Sequence, residues 1–247
     1  MSQAGHVALV TGAGRNIGRA IVLELADRGI AVVVNARSRH DEAEAVAADA
    51  RRRGVRALAL VGDVGRAVEV RALARRALAE FGTVDIVVNN AAIRPETPFL
   101  DLADEDWHRV IDVDLHGAFY TAKAFLPGMV TRRWGRIVNL IGMNAIQGYV
   151  GRAHVSAAKH GLWGLTKALA REFGPQGITV NAVSPGPIDT SHDAAAQPGH
   201  FRAQLGRIPL GRLGRPEEVA RLVGFLASED GAFVSGQMIG VNGAAQT

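Results

Sequence analysis

The sequence of 247 residues contains no cysteine, which excludes disulfides, thiolate metal sites and a cysteine nucleophile. No apolar run approaches the roughly 18 residues that a membrane-spanning helix needs, so we expect no membrane partner. The first residues, MSQAGHVALVTGAG, lack a basic region followed by a long apolar run, and we predict no signal peptide. These absences predict a soluble, cytoplasmic protein without a metal site.

Lysine is also scarce, because Lys123, Lys159 and Lys167 are the only lysines and every other basic residue is arginine. The net charge is +4, and a basic balance raises the question of nucleic-acid binding. The densest basic run, residues 51–56, is interleaved with a helical Ala/Val pattern and has no aromatic residues or DNA-binding motif beside it. We interpret it as a solvated helix face rather than a phosphate-binding patch, and we expect no nucleic-acid partner.

What the chain has in quantity is apolar sequence, at 48% hydrophobic against 21% charged residues. This excludes a disordered chain. Short Val- and Ile-rich runs, typical of parallel strands covered on both faces, alternate with segments that have helical apolar spacing. The predicted strands are residues 6–11, 30–36, 55–61, 84–89, 136–141, 178–183 and 238–241. The predicted helices are residues 18–28, 41–53, 66–81, 104–130, 152–173 and 216–227.

This alternation predicts an α/β fold: a Rossmann-type, doubly wound parallel sheet of about seven strands with helices on both faces. We expect residues 1–247 to form a single nucleotide-binding domain, since no linker interrupts the pattern. The long irregular stretch 184–215 is predicted to be a substrate lid within that domain.

The first predicted strand leads directly into a glycine-rich turn, Thr11-Gly12-Ala13-Gly14-Arg15-Asn16-Ile17-Gly18, and a helix follows. Glycines at this place let a diphosphate approach backbone amides at the positive end of a helix. Because the turn lies between the first strand and the first helix of an α/β chain, it indicates a dinucleotide site.

The second predicted strand ends in Asn35-Ala36-Arg37-Ser38, without the acidic residue that would accept a hydrogen bond from the ribose of NAD. An arginine can instead pair with a 2′-phosphate through two hydrogen bonds. Arg37 and Arg15 are both placed for this role, so we predict NADP (NADPH) as the cofactor.

Several motifs agree with one known family. They are the TGAGRNIG turn, Gly62-Asp63-Val64 after the third strand, Asn89-Asn90-Ala91-Ala92 after the fourth, residues 184–190 after the sixth, and the ending Gly236-Gln237 to Val241-Asn242-Gly243. On these motifs essentially the whole chain resembles a short-chain dehydrogenase/reductase of the 3-oxoacyl-carrier-protein reductase type.

The resemblance implies a set of cofactor contacts. Asp63 would accept a hydrogen bond from the adenine amino group, and Val64 would donate its backbone amide. Asn90 and Ala91 would line the adenosine ribose, and Ile188 and Thr190 would hold the nicotinamide carboxamide. The remaining implied cofactor-binding residues are Gly12, Gly14, Arg15, Asn16, Ile17, Gly18, Ala92, Pro185 and Gly186. Asn16 replaces a glycine that is usual in the family, a mild departure because asparagine tolerates left-handed backbone.

The catalytic positions depart further from the family pattern, which uses an Asn, a Ser, a Tyr and a Lys. Lys159 matches the lysine, which by resemblance would also hold the nicotinamide ribose. The tyrosine position is Val155, the serine position is Gly142 and the asparagine position is Asp114. A valine cannot donate a proton, and general acid catalysis contributes roughly 10²–10⁴-fold, so ordinary ketone reduction should be crippled.

Two ways of repairing the site remain open. Tyr149, His154 or Asp114 could supply the missing proton. Alternatively, the substrate could be an iminium ion that needs no acid, and a buried Asp114 carboxylate would then stabilise the cation. A simple salt bridge between Asp114 and Lys159 is the plainer interpretation of that residue.

The resulting hypothesis is an NADP-dependent oxidoreductase that reduces a small carbonyl or imine substrate. The main alternative is a cofactor-binding homologue without redox turnover, acting as a sensor or assembly partner. Arginines at the rim, Arg94 and Arg152, would suit an acidic substrate, and the lid carries His192, His200 and Phe201. The family resemblance also implies a homo-oligomer, a dimer or tetramer formed through the helices 104–130 and 152–173 and the last strand.

Overall fold

The computed structural model describes residues 5–190, 205–206 and 208–246. Seven strands in this part of the chain form one sheet, in which every neighbouring pair is parallel. The strands are β1 Val7–Val10, β2 Ala31–Ala36, β3 Ala57–Val61, β4 Ile86–Asn89, β5 Gly135–Leu140, β6 Ile178–Pro185 and β7 Met238–Val241. Their order in the sheet is β3-β2-β1-β4-β5-β6-β7, which confirms the predicted doubly wound fold.

Seven α-helices connect these strands within the described residues. They are α1 Asn16–Asp27, α2 His40–Arg52, α3 Ala67–Phe81, α4 Asp104–Ile111, α5 Gly117–Arg132, α6 Ala153–Phe173 and α7 Pro216–Leu226. Short 3₁₀ turns cover Phe99–Asp101, Met143–Ala145, Gly174–Gln176 and Glu229–Gly231. Among the described residues, no helix combines the length and apolarity that a membrane span requires.

The apolar residues of each strand alternate between two cores. Ala8 and Val10 of β1 pack on one face, together with residues of α1, α2 and α7. Val7 and Leu9 pack on the opposite face, with residues of α3, α5 and α6. This alternation follows from the two-residue period of a strand, and it explains why the strand sequences are apolar at successive positions.

The segment predicted as one helix over residues 104–130 is divided in the structure. A π-helical turn, Asp112–His116, separates α4 from α5. Such turns in an otherwise α-helical segment are frequent at functional sites. Apolar periodicity does not reveal a single extra residue in a turn, so the sequence did not predict this bulge.

The strand order reverses between β1 and β4, which lie side by side although they are not consecutive in the chain. In open α/β sheets, ligands bind outside the carboxyl ends of the strands at such a point. The glycine-rich turn follows β1, and residues 90–92 follow β4, so both motifs lie at this crevice.

Candidate active site

The glycine-rich turn depends on one close backbone contact. Gly12 has φ +60°, and a Cβ atom at this position would lie 2.8 Å from the Cα of Ala91. Only glycine therefore fits between the turn after β1 and the loop after β4. Asn16, the first residue of α1, has φ +52°, which agrees with the sequence interpretation that asparagine replaces glycine here.

Thr11 and Asn90 hold the two loops together. The backbone amides of Asn90 and Ala91 both donate to Thr11 Oγ1 at 3.0 Å. The Asn90 side chain donates to the carbonyls of Thr11 and Gly12 at 2.9 Å. Asn90 thus fixes the shape of the turn itself. Thr11 was not identified as a site residue from the sequence, since a threonine at a strand end is common.

The expected 2′-phosphate contacts lie at the end of β2. The amide of Ala13 donates to the carbonyl of Asn35 at 2.8 Å, which places the glycine-rich turn beside this strand end. Arg15 and Arg37 are exposed, and within the described residues neither side chain has an ion-pair or hydrogen-bond partner. Arg39, by contrast, pairs with Asp41 and Glu42. Two uncompensated guanidinium groups therefore stand at this edge, as an anion site requires.

Asp63 has protein partners on both carboxylate oxygens. Oδ1 accepts from the amide of Gly65 at 2.9 Å, and Oδ2 accepts from Arg109 at 2.7 Å. Val64 is buried and packs with Val113 and Val70. The contact with Arg109 was missed because nothing in the spacing of residues 63 and 109 connects them.

The centre of the crevice contains a buried ion pair. Lys159 Nζ lies 3.2 Å from Asp114 Oδ2 and donates to the carbonyl of Leu140 at 3.1 Å. Each residue is only 2% exposed. Burial lowers the pKa of Lys159, and the charge of Arg94 also lowers it, while Asp114 acts in the opposite direction. The pair predicted as the plain interpretation of Asp114 is thus present.

Asp114 is held from its other side by the loop after β4, because Oδ1 accepts from the amide of Ile93 at 2.8 Å. The residue belongs to the π-helical turn Asp112–His116. Beside it is an enclosed space of about 10 Å³, which is room for one water molecule. Polar lining comes from Asp114, Thr11 and Asn89.

A buried chain of polar side chains continues from this space. Thr121 donates to Asn89, Asn89 donates to Asn139, and Asn139 donates to Thr166, at 2.8–2.9 Å. It joins α5, β4, β5 and α6 across the sheet. This network has no signal in the sequence, because its members are far apart in the chain and each resembles an ordinary buried polar residue.

Val155 and Gly142, which the family resemblance assigns to the tyrosine and serine positions, are each adapted to their surroundings in this structure. Val155 is 0% exposed and packs with Val110 and Ala158 in a small apolar cluster. Gly142 has φ +71° and ψ 177°, a backbone region that essentially only glycine occupies. A serine at this position would be strained even though a Cβ atom has space.

Tyr149 and His154, the two candidate donors near these positions, have different surroundings. The Tyr149 hydroxyl accepts a hydrogen bond of 2.7 Å from Gln147. His154 is 0% exposed, and neither of its ring nitrogens has a partner in the described part of the chain. Burial lowers the pKa of His154, against the opposing charges of Asp106 and Asp114. A neutral imidazole is therefore expected at neutral pH.

The rim arginines behave differently from each other. Arg152 pairs with Glu96 at 3.2 Å, so its charge is compensated. Arg94 is close enough to Lys159 for its positive charge to lower the lysine pKa. Arg94 therefore adds positive charge to the crevice, whereas Arg152 does not.

The segment after β6 forms the remaining edge. The amide of Gly186 donates to Val241 at 3.0 Å, and Ile188 forms a short parallel bridge with Gly214. Pro185 is the last residue of β6, and Thr190 ends the described segment. His192, His200 and Phe201 lie outside the described residues, as does much of the predicted lid. The described residues contain no group of His, Cys, Asp and Glu side chains able to hold a metal ion.

Comparisons with known proteins agree with this geometry. A family model described as enoyl-(acyl carrier protein) reductase matches residues 12–244. The chain is 44% identical over 243 residues to a 3-oxoacyl-(acyl-carrier-protein) reductase of Pseudomonas aeruginosa, with 98% of each chain covered. A reductase of the same name from Synechocystis is 42% identical, with 96% of each chain covered. A solved structure from Sinorhizobium meliloti, described as a short-chain alcohol dehydrogenase, has a TM-score of 0.94 and 33% identity, and covers 99% of this chain and 97% of its own.

Proposed function

The chain belongs to the short-chain dehydrogenase/reductase family of oxidoreductases, and on that premise we propose that it transfers hydride between NADP and a small carbonyl or imine substrate at a non-standard active site. The supporting observation is the glycine-rich turn, residues 11–18, in close contact with the loop after β4 and beside the buried Lys159–Asp114 pair. We call this turn and loop the dinucleotide cradle. Gly142 and Val155, at the serine and tyrosine positions, make the site non-standard.

The cradle fits a dinucleotide because glycine alone permits the turn at Gly12 and because backbone amides open α1. When bound, the nicotinamide supplies or accepts hydride. The residues that would hold the cofactor are Gly12, Gly14, Arg15, Asn16, Ile17, Gly18, Arg37, Asp63, Val64, Asn90, Ala91, Ala92, Lys159, Pro185, Gly186, Ile188 and Thr190.

NADP is preferred over NAD in this proposal because Arg15 and Arg37 are exposed without a protein partner in the described residues. A hydrogen bond to a charged group contributes roughly 1.5–3 kcal/mol, so we expect NADPH to bind roughly tenfold to hundredfold more tightly than NADH. Arg37→Asp should reverse this preference. Arg39→Asp is the matched control, since Arg39 already pairs with Asp41 and Glu42. Equal affinities of the unaltered protein for both cofactors would contradict the proposal.

We assign catalysis primarily to Lys159 and Asp114. Tyr149 and His154 are further candidates for the proton donor. His154 is the weaker of these two candidates because it is buried. The Tyr149 hydroxyl accepts from Gln147, so its own O–H can still donate. For an iminium substrate no donor is needed.

The second candidate function is cofactor binding without turnover. The packing of Val155 and the backbone of Gly142 favour it, because neither position provides a group that acts on a carbonyl. The two functions differ in one measurement. Oxidation of NADPH is followed with a panel of 3-oxoacyl thioesters, simple ketones and cyclic imines. Turnover that depends on Lys159 supports the enzyme, whereas tight NADPH binding with no turnover on the whole panel supports the sensor or assembly partner.

We also propose a homo-oligomer, a dimer or tetramer. An apolar groove of about 350 Å³ lies between α5 and α6, the helices predicted to pair. Its apolar lining includes Phe119, Leu126, Val130, Leu169 and Phe173. Light scattering coupled to size exclusion should give twice or four times the chain mass of 26.1 kDa. A single domain over residues 1–247, a lid over residues 184–215 and a cytoplasmic location remain part of the same proposal.

A further inference from the structure

We propose that Lys159, positioned by Asp114, is itself the proton donor of this site, and that the hydride acceptor is therefore a neutral carbonyl group rather than an iminium ion. This inference rests on the proposed function, because it names the acid and the substrate class of that same reaction. It assigns to the lysine the step that a tyrosine performs in the family pattern.

The ammonium group of Lys159 lies close to the tyrosine position. Val155 and Lys159 are one helical turn apart on α6, so they share a face of the helix. Long side chains in helices cover the preceding turn. Nζ contacts Asp114 at 3.2 Å, Asp114 accepts from the amide of Ile93, and Val155 packs against Ile93. Val155 has no proton to donate, so it does not compete with the ammonium.

The Nζ group of Lys159 has protons to spare, because a lysine ammonium has three N–H donors. One N–H donates to the carbonyl of Leu140 at 3.1 Å. Asp114 Oδ2 lies 3.2 Å from Nζ as an ion pair but accepts no hydrogen bond in the described residues. Two N–H groups therefore remain, one for the nicotinamide ribose and one for a substrate oxygen.

The surroundings of Lys159 also make its ammonium more acidic than that of an ordinary lysine. An ordinary lysine, with a pKa near 10.4, is a weak acid at neutral pH. Burial lowers the pKa of Lys159, and so does the charge of Arg94, while Asp114 limits the shift. A pKa closer to the working pH is what general acid catalysis favours. Asp114 thus keeps the group protonated and fixes its direction.

The step transfers one hydride and one proton to the substrate. The carbonyl carbon gains a hydride, and the carbonyl oxygen gains the proton that leaves Nζ. The carbonyl is reduced to an alcohol, the nicotinamide is oxidised by the same two electrons, and Lys159 is left as a neutral amine. A proton taken up from solvent after product release restores the ammonium.

The charges in the crevice select the carbonyl over the iminium. The carboxylate of Asp114 is already balanced by Lys159. Arg94, which directly follows the Ile93 amide that donates to Asp114, adds a further positive charge. An iminium ion would add another positive charge to this group. A carbonyl oxygen, which becomes negative as hydride arrives, is instead stabilised by the same charges.

The scarcity of lysine makes the acid directly measurable. With Lys123, Lys159 and Lys167 as the only lysines, a protein labelled at lysine gives three side-chain NMR signals, each assigned by its Lys→Arg variant. Lys167 is exposed and serves as the internal reference, whereas Lys123 lines the groove proposed as the contact between copies. We expect Lys159 to titrate at lower pH than Lys167, and to move lower still in Asp114→Asn. Titration of Lys159 together with Lys167 would overturn the proposal.

The kinetic arm uses the same variants. The rate of carbonyl reduction should fall as pH rises through the Lys159 pKa found by NMR, and Asp114→Asn should shift both values together. Lys159→Arg keeps the positive charge but cannot give up its proton, so kcat should fall at least a hundredfold while NADPH affinity changes much less. This variant also covers the case in which Asp114→Asn fails to fold.

The outcomes separate this proposal from the proposed function. Turnover of carbonyls that survives Lys159→Arg overturns the lysine acid while the oxidoreductase stands. Turnover of cyclic imines with no turnover of carbonyl substrates also overturns the lysine acid while the oxidoreductase stands. NADPH binding without turnover of either class overturns both.

Discussion

The proposed cofactor crevice lies at β1 and β4, and the proposed catalytic segment is residues 142–155. The crevice keeps the backbone contacts that shape a dinucleotide site, whereas the catalytic segment lacks the side chains of the family pattern. Around β1 and β4 the shape is fixed by backbone contacts, such as the approach of Gly12 to Ala91 and the bonds from Asn90. In the segment from residue 142 to Val155, both positions that carry chemistry in the family pattern lack a functional side chain. Under the proposed function, the binding geometry of the fold would be kept while its reaction chemistry is altered.

Lys159 is the residue at which these two regions meet, and its removal should have the largest effect. In Lys159→Ala the buried carboxylate of Asp114 loses its partner, which costs about 3–5 kcal/mol of folding free energy. NADPH binding should also weaken by about 1.5–3 kcal/mol, the usual range for a hydrogen bond to a charged group. Urea unfolding and a fluorescence titration measure the two effects.

A double variant separates stability from binding. Asp114→Leu with Lys159→Met removes both charges, and replacing a buried pair by apolar residues is often neutral or stabilising. It should recover most of the lost stability without recovering NADPH affinity. If affinity returns as well, Lys159 does not hold the cofactor.

Gly12 tests the claim that backbone shape controls the cofactor crevice. Gly12→Ala combines a strained φ of +60° with a Cβ atom 2.8 Å from Ala91. We expect a loss of about 1–3 kcal/mol in unfolding free energy from the backbone alone, and a loss of at least about tenfold in NADPH affinity because the cradle must widen.

The matched control is Gly54→Ala, since Gly54 has φ +87° and no atom within 4 Å of the added Cβ. It carries the backbone strain without the contact, so only stability should fall. An equal loss of NADPH affinity in both variants would show that the contact with Ala91 is unimportant.

Gly142 tests the opposite claim, that the catalytic segment has changed its backbone as well as its side chains. Gly142→Ser should destabilise the fold by about 1–3 kcal/mol, because a non-glycine residue is strained in that region of φ and ψ. Gly148→Ser is the control in the same loop, where no atom lies within 4 Å and φ is not positive. Equal unfolding midpoints for the two variants would mean that the loop accommodates serine freely.

Most of the fold was predictable, and the reason is visible in particular elements. The alternation of Val7, Ala8, Leu9 and Val10 between two cores requires an apolar residue at every position, so the sequence identifies a covered parallel strand. The glycine-rich turn was predictable because the contact at Gly12 excludes every other residue type.

For the segment from residue 142 to residue 155, the sequence predicts a set of replaced catalytic residues, and that stays a prediction. Spacing located Val155 and Gly142, but the positive φ of Gly142 and the π-helical turn that carries Asp114 depend on packing between distant segments. The hydrogen-bond partners of Asp63 and Asn89 likewise depend on packing between segments that are distant in the chain. Long-range hydrogen bonds leave no periodic signal in a single sequence.

The smallest expected effect concerns His154, where the catalytic segment meets the apolar core. Burial lowers the pKa of His154 below its ordinary value, although Asp106 and Asp114 oppose the shift. The unfolded chain, with a histidine pKa near 6.5, therefore binds this proton before the folded protein does. Stability from this group is unaffected above that pH and falls as the pH decreases below it. His154→Leu should remove this part of the acid sensitivity, as measured by urea unfolding at pH 7.5 and pH 5.5.

His160→Leu is the control on the same helix, because His160 is exposed. An unchanged acid sensitivity in His154→Leu would mean that the buried imidazole accepts a proton as readily in the folded protein as in the unfolded chain, and a role as proton donor would then return to His154.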